Sequence, residues 1–378
     1  MKVLHISPSY KPAYIYGGPT VSVSRLCEEL VNIGVDVSVF TTTANGSTEL
    51  DVEAGSTHTL DGVKVTYFKR LSSDHTHFSP ALLWSLWKQG EHYDVIHIHA
   101  WWNLVSVFAL LVCWMRGWKP LLAPRGMLSQ YAFEHENSFK KKLIHVLVGK
   151  FLLSHSTLHA TTPLEVRDCH QIVPGWRYFI LPNIITLPEG DYPHKAGADR
   201  TDVLKLIFLS RVDPKKGLEL LFSALAKVNF PFRLSIYGNR GDSYEKQLRE
   251  LSEQLGLTPK IDWQGWVEGD EKFKALADAD LFVLTSYNEN FANVVLESLA
   301  VGTPTLLSDQ VGMAEYVKKH NLGLVCKPVV DDIVGGLIDI YHDFKFGSLS
   351  QQKFSKDHFD PRKLAVDYLV EYEKLKHF

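Results

Sequence analysis

Two glutamates eight residues apart, Glu289 and Glu297, lie in the segment Thr285–Asp309, TSYNENFANVVLESLAVGTPTLLSD. The apolar run DLFVLTS before it reads as a buried strand, and the stretch that closes at Gly302 as an apolar-periodic helix. One carboxylate then sits in a polar loop and the other on the helix. Backbone N–H groups and the positive end of the helix dipole converge on the same point. Such a point suits a phosphate-linked, hydroxyl-rich ligand, for example a nucleotide sugar. The neighbours of Glu297, Val294-Val295-Leu296 and Ser298-Leu299-Ala300, imply a largely buried helix. A carboxylate there needs a partner, and sugar or ribose hydroxyls would serve.

Further candidates follow other apolar runs. In LSRVDPKKGLE a strand delivers Arg211 to its carboxyl end, and Lys216 stands five residues later at a helix start. The planar fork of Arg and the point charge of Lys both suit a diphosphate, and their place at a strand end argues against two merely solvated cations. LSIYGNRG ends a strand in a loop with Gly238, Asn239 and Gly241 that passes close to a nucleotide in this reading. After the next strand, Trp266 and Val267 either flank a base or leave Trp266 in the core. Gly17-Gly18 precede the first helix, as a bare turn or a phosphate contact. No GxGxxG with a later acidic residue is present, which argues against a redox dinucleotide enzyme. His97 and His99 share one side of a strand, yet no third ligand has suitable spacing, so no metal site is expected. His99, at the strand end, and Arg125, after PLLAP, are the cleft candidates. Lys140, Lys141 and Lys142 precede LIHVLVGKFLL, a basic amphipathic stretch that reads equally as contact with an anionic membrane surface or as a plain surface helix.

What must position these residues is two domains, since 378 residues exceed one ordinary core. Strand and helix signals alternate over 1–187 and again over 203–358, with a linker expected at 188–202 and a last helix at 359–378 returning to the first domain. The class is α/β: two Rossmann-like, doubly wound domains facing each other across a cleft. A net charge of −3 argues against a nucleic-acid binder. The four scattered cysteines form no disulfide or zinc pattern, KVLHIS reads as a strand and not a signal peptide, and Leu104–Met115 is too short to span a bilayer. A cytoplasmic protein is therefore expected, peripheral at most on the inner face of the membrane.

These residues resemble the retaining family 4 glycosyltransferases of the GT-B fold over nearly the whole chain. Glu289…Glu297 matches the family's Glu-x7-Glu motif, Arg211…Lys216-Gly217 its diphosphate motif, Gly17-Gly18 its early glycine loop and Pro182-Asn183 its Pro-Asn element. Val311-Gly312-Met313-Ala314-Glu315 stands where the family has Gly-Gly-x-x-Glu. The resemblance implies that Arg211 and Lys216 bind the donor diphosphate and stabilise the leaving group. It assigns Glu289 to the donor sugar's hydroxyls, with Asn290, Phe291, Ala292 and Asn293 beside it, and Glu297 to the ribose. It also implies a UDP- or GDP-sugar donor, a saccharide or lipid-linked acceptor, no metal, and a role in cell-surface polysaccharide, lipopolysaccharide or glycan assembly. Three departures stand out. Arg125 occupies a position where a family histidine is common, Asn290 and Ala292 replace small glycines, and the Gly-Gly loop keeps one Gly. A nucleotide-sugar epimerase of the same fold and a non-catalytic nucleotide-sugar-binding protein are the alternative readings.

Overall fold

The computed structural model describes residues 1–71, 74, 76–135, 148–188, 190, 192, 203–238, 243–342 and 348–376. The chain forms two compact units, Met1–Thr186 with Pro361–Phe378, and Leu187–Asp360. Most of the expected linker, 188–202, lies outside the described residues, as do Lys140, Lys141, Lys142 and Asn239.

The first unit contains β1 (Lys2–Ile6), β2 (Asp36–Thr42), the small hairpin β3 (Ala44–Asn45) and β4 (Thr48–Glu49), β5 (Thr57–Leu60), β6 (Val63–Phe68), β7 (Val95–His99), β8 (Leu121–Ala123), β9 (Thr157–Ala160) and β10 (Tyr178–Ile180). Its main sheet runs β10-β9-β8-β7-β1-β2-β6-β5, parallel except for the β5–β6 pair. The periodicity reading places no strand at 57–68. The signal was nonetheless there: Asp61 and Gly62, both at positive φ (48° and 79°), make the two-residue turn that an Asp-Gly pair favours between strands. Central strands are covered on both faces, which is why β7 and β8 read as apolar runs. Helix Leu104–Arg116 starts where the Asn103 side chain accepts from Ser106 N–H and stops at Gly117. It buries Val105, Ala109, Leu110 and Cys113 in a core shared with Leu4, Ile98, Trp101 and Leu122. The last helix, Pro361–Leu375, packs against helix Gly18–Asn32 and buries Leu364, Ala365, Tyr368 and Tyr372.

The second unit contains β11 (Leu204–Leu209), β12 (Phe232–Tyr237), β13 (Ile261–Gly265), β14 (Leu281–Leu284), β15 (Thr305–Ser308) and β16 (Gly323–Cys326). All neighbours pair in parallel, in the order β13-β12-β11-β14-β15-β16. Helix Asn293–Ala300 ends two residues before Gly302, where the apolar pattern had placed its stop. Strand order reverses between β7 and β1 in the first sheet and between β11 and β14 in the second. Such reversals open a crevice at the carboxyl ends of the strands. Among the described residues no helix is long and apolar enough to cross a membrane.

Candidate active site

The reversal in the second unit gathers charge. β11 ends at Leu209, and the chain turns through Asp213, whose carboxylate accepts from Lys215 N–H at 3.0 Å, into the short 3-10 turn Pro214–Lys216. Gly217 then adopts φ +65°, and a Cβ there would lie 2.4 Å from the carbonyl of Thr285, just after β14. Only glycine lets the two strand ends close on each other. Thr285 Oγ1 donates to Gly217 O at 2.8 Å and Tyr287 N–H to Lys215 O at 2.9 Å, so the Lys-Lys-Gly turn is stitched to the loop that carries Glu289. Glu289 is held in turn by its own N–H on Gln310 O and by Gly312 N–H on its carbonyl, both within 2.9 Å. The result is a Lys216–Glu289 ion pair at a largely buried position. Burial alone would raise the Glu289 carboxyl, but Lys216, Lys215 and Arg211 outweigh it and hold it below the usual range. Burial, reinforced by Lys216 and Arg211, lowers the Lys215 ammonium.

Around this pair lie the remaining candidates of the unit. Gly238 closes β12 with φ +150°, and a Cβ there would sit 1.9 Å from Ser210 O, so the backbones of adjacent strand ends touch. Trp266 is 61% exposed and Val267 part-buried, which removes the reading of Trp266 as core. Asn290 and Asn293 are part-buried, while Phe291 and Ala292 are buried, Phe291 edge-on to Phe359. Ala292 caps the helix Asn293–Ala300 in the left-handed region, φ +62°. Glu297 already has a protein partner: Lys272 Nζ donates to it at 2.7 Å. The expectation that sugar or ribose hydroxyls would serve as its partner is corrected to this extent: the protein supplies one itself. Lys272 stands 25 residues earlier, on the helix Gly269–Ala277, where chain spacing offers no clue to the pairing.

In the first unit, Gly17 and Gly18 open the helix Gly18–Asn32, whose amino end carries Pro19. His99 is fully buried and does not line an open surface, a second correction. Parallel register sets His5 opposite His97, and His159 of β9 completes a cluster of four buried imidazoles. Obligate donors and acceptors fix the tautomers. Arg125 Nη2 faces His99 Nδ1 at 3.4 Å, so His99 Nε2–H donates to His5 Nδ1 at 2.9 Å. His159 Nε2–H donates to Leu181 O at 2.9 Å, which leaves its Nδ1 to accept from His97 Nε2–H at 3.2 Å. His97 Nδ1 then accepts from Tyr372 O–H at 2.8 Å, and Tyr368 O–H donates to Pro182 O at 2.9 Å. Burial first, then Arg125, pushes His5 down to about 3. His159 is also lowered to about 3, mainly by burial and next by Arg125. Burial lowers His97 and His99 well below 6.5, with Arg125 and the other imidazoles adding to it.

Sequence spacing offered no third metal ligand, but the fold brings one to His97 and His99. His5, His97 and His99 bring ligand atoms within 4.8 Å of one another. The set nevertheless fits a cation poorly. Each acceptor nitrogen already takes a hydrogen bond, and the guanidinium beside His99 opposes a dication.

A family model described as glycosyl transferases group 1 matches residues 194–356, and one described as a glycosyl transferase 4-like domain matches residues 17–183. The chain belongs to the group 1 and 4-like glycosyl transferases. An uncharacterized glycosyltransferase of Methanocaldococcus jannaschii is 26% identical over 386 residues, covering 95% of this chain and 94% of that protein. Two solved structures share the fold: sucrose-phosphate synthase from Thermosynechococcus elongatus (TM-score 0.74, 19% identity, 99% and 98% covered) and Anabaena HepE in complex with UDP and glucose (0.73, 18%, 99% and 100%). The two Rossmann-like units are thus those of a GT-B enzyme. In this glycosyltransferase Arg211, Lys216 and Glu289 come together as expected from their strand ends. Sequence reasoning passed over Lys215, although a second lysine beside Lys216 was in plain view. His5 and His159, on distant strands, left no signal in spacing.

Proposed function

We propose that this glycosyltransferase moves a sugar from a nucleotide-diphosphate sugar to a saccharide or lipid-linked saccharide acceptor with retention at the anomeric carbon. The observation that carries the reading is the Lys216–Glu289 pair, with Lys215 and Arg211 beside it, at the β11/β14 reversal. As the bond from the anomeric carbon to the phosphate oxygen breaks, negative charge grows on the departing diphosphate. Three cations and the amino end of helix Asn293–Ala300 stabilise that charge. Glu289, kept ionised by its neighbours, accepts hydrogen bonds from sugar hydroxyls, and Glu297 those of the ribose. The acceptor hydroxyl attacks on the face that the diphosphate leaves, and a donor phosphate oxygen takes its proton. Arg125 is no base near neutral pH. The cations supply the neutralisation that a divalent ion gives elsewhere, so activity should persist in EDTA.

The donor class follows from the diphosphate cradle, and the Anabaena relative, solved with UDP and glucose, supports a UDP-sugar ahead of a GDP-sugar. Work on a cell-surface glycan, at the cytoplasmic face of a membrane, completes the proposal. The basic stretch at Lys140–Lys142 would be its contact there, and sedimentation with anionic against neutral vesicles tests it. The central test is transfer from UDP- and GDP-sugars to saccharide acceptors by purified protein, with the product anomer read by NMR. An inverted product overturns retention. Full activity in both Lys216→Ala and Glu297→Ala overturns the assignment of roles.

A further inference from the structure

Arg125 is a buried cation with neutral neighbours. It is 9% exposed. Its Nη1 donates to Asn183 Oδ1, its Nη2 faces His99 Nδ1 at 3.4 Å, and its Nε, also buried, has no partner. Two of five N–H groups are therefore engaged, and neither acceptor carries charge. Among the described residues no carboxylate comes within ion-pair distance, 4.0 Å, of the guanidinium. Glu165, whose carboxylate reaches the adjoining Gly126, is spoken for: it accepts from Gly126 N–H at 2.8 Å, from Thr161 N–H at 2.8 Å and from Thr161 Oγ1 at 2.9 Å. The charge is felt nonetheless, since it helps to depress all four imidazoles.

Burying a guanidinium without a counter-ion costs several kcal/mol even after relaxation. The backbone is strained at the same place. Arg125 adopts φ +56° and Gly126 φ +77°, a conformation that a residue with a Cβ holds only where its surroundings impose it. Two costs at one residue, just past the carboxyl end of β8 and beside β7, mark a functional position. A carboxylate or phosphate is the group that would use three free N–H donors in a planar fork.

We propose that Arg125 binds an anionic group, carboxylate or phosphate, carried by the sugar that this transferase handles in its first unit. The inference rests on the transferase reading and adds the substrate's charge to it. Calorimetric titration of the whole chain tests it with glucuronate, glucose 6-phosphate and glucose as probes. At least one anionic sugar should bind tenfold or more tighter than glucose, and the pair of anions tells carboxylate from phosphate. In Arg125→Gln that preference should vanish. In Lys216→Met, which disturbs only the diphosphate cradle, it should remain. Should Arg125→Gln fail to fold, Arg125→Lys keeps the charge without the fork and should weaken the anion at least fivefold while leaving glucose unchanged. Equal or absent binding of charged and neutral sugars overturns the proposal, as does a preference that survives in both Arg125 variants. UDP affinity, measured in parallel, reports on the donor site. Its loss in Lys216→Met with no anion preference in the wild-type chain would sink this inference and leave the transferase reading standing.

Discussion

The two sheet reversals use polar side chains in opposite ways. At β11/β14 the second unit brings together Arg211, Lys215, Lys216 and Glu289 as ions. At β7/β1 the first unit brings together four imidazoles and keeps them neutral, next to one cation without a carboxylate. On the proposed reading, the first arrangement prepares charge for a ligand that carries charge. In the second, a directed chain of hydrogen bonds joins the sheet to Tyr372 of the last helix. The lesson is that the same crevice position serves two ends. Ions there must be offset by a partner or a ligand, while imidazoles satisfy one another where the protons alternate along the chain, only His5 Nε2 being left without a partner among these four.

The widest separation between the two sites should appear in acid. Folding holds His5, His97, His99 and His159 neutral among Arg125, Tyr368, Tyr372 and Phe179, whereas the unfolded chain protonates them below about pH 6.5. Stability is therefore intact above pH 6.5 and falls as pH drops toward about 3. At pH 5.5 each histidine costs about 1.4 kcal/mol, so the four together cost about 6. Denaturant melts at pH 7.5 and 5.5, with hydrogen exchange locating the loss in the first unit, check this; equal stability at both values breaks the comparison.

Next in size is Lys216→Met, which leaves Glu289 without its ion-pair partner and removes one cation from the proposed diphosphate site. A loss of about 10²–10³ in kcat/KM is expected, by analogy with a removed oxyanion donor. Steady-state transfer rates measure it, and a change under threefold would remove the ionic site from the chemistry. Tyr372→Phe acts on the other reversal. It strips the donor from buried His97 Nδ1 and should lower stability by about 1–3 kcal/mol while the folded enzyme keeps its kcat. A neutral result in urea titration would show that the imidazole chain does not anchor the last helix. The smallest effect is Ala292→Gly. Relief of the left-handed alanine, worth about 1–2 kcal/mol, is partly offset by glycine's extra unfolded-state entropy, so a gain below about 1 kcal/mol is expected in the melt.

Residues at strand ends were the readable part of this site. Arg211, Lys216 and Glu289 could be placed because an apolar run announces a parallel strand, and whatever follows its carboxyl end faces the crevice. Ala292 was noted as a departure from glycine, and its positive φ supplies the physical meaning of that departure. Lys272 against Glu297, Asn183 against Arg125, and the two tyrosines of the last helix were not readable. Each pairing joins segments whose distance along the chain says nothing about their distance in space.

By itself, then, the sequence determined two doubly wound units, their strand ends and the kinds of charge those ends carry, because period, capping and turn chemistry are local. Tertiary structure alone decided which charges are paired and which are left over. Register set His5 beside His97, and the Leu181 carbonyl, acting through His159, chose the tautomer of His97. It also decided that Arg125 is buried without a carboxylate, since the cost of a buried ion depends on everything within a few ångströms of it and not on its neighbours in the chain.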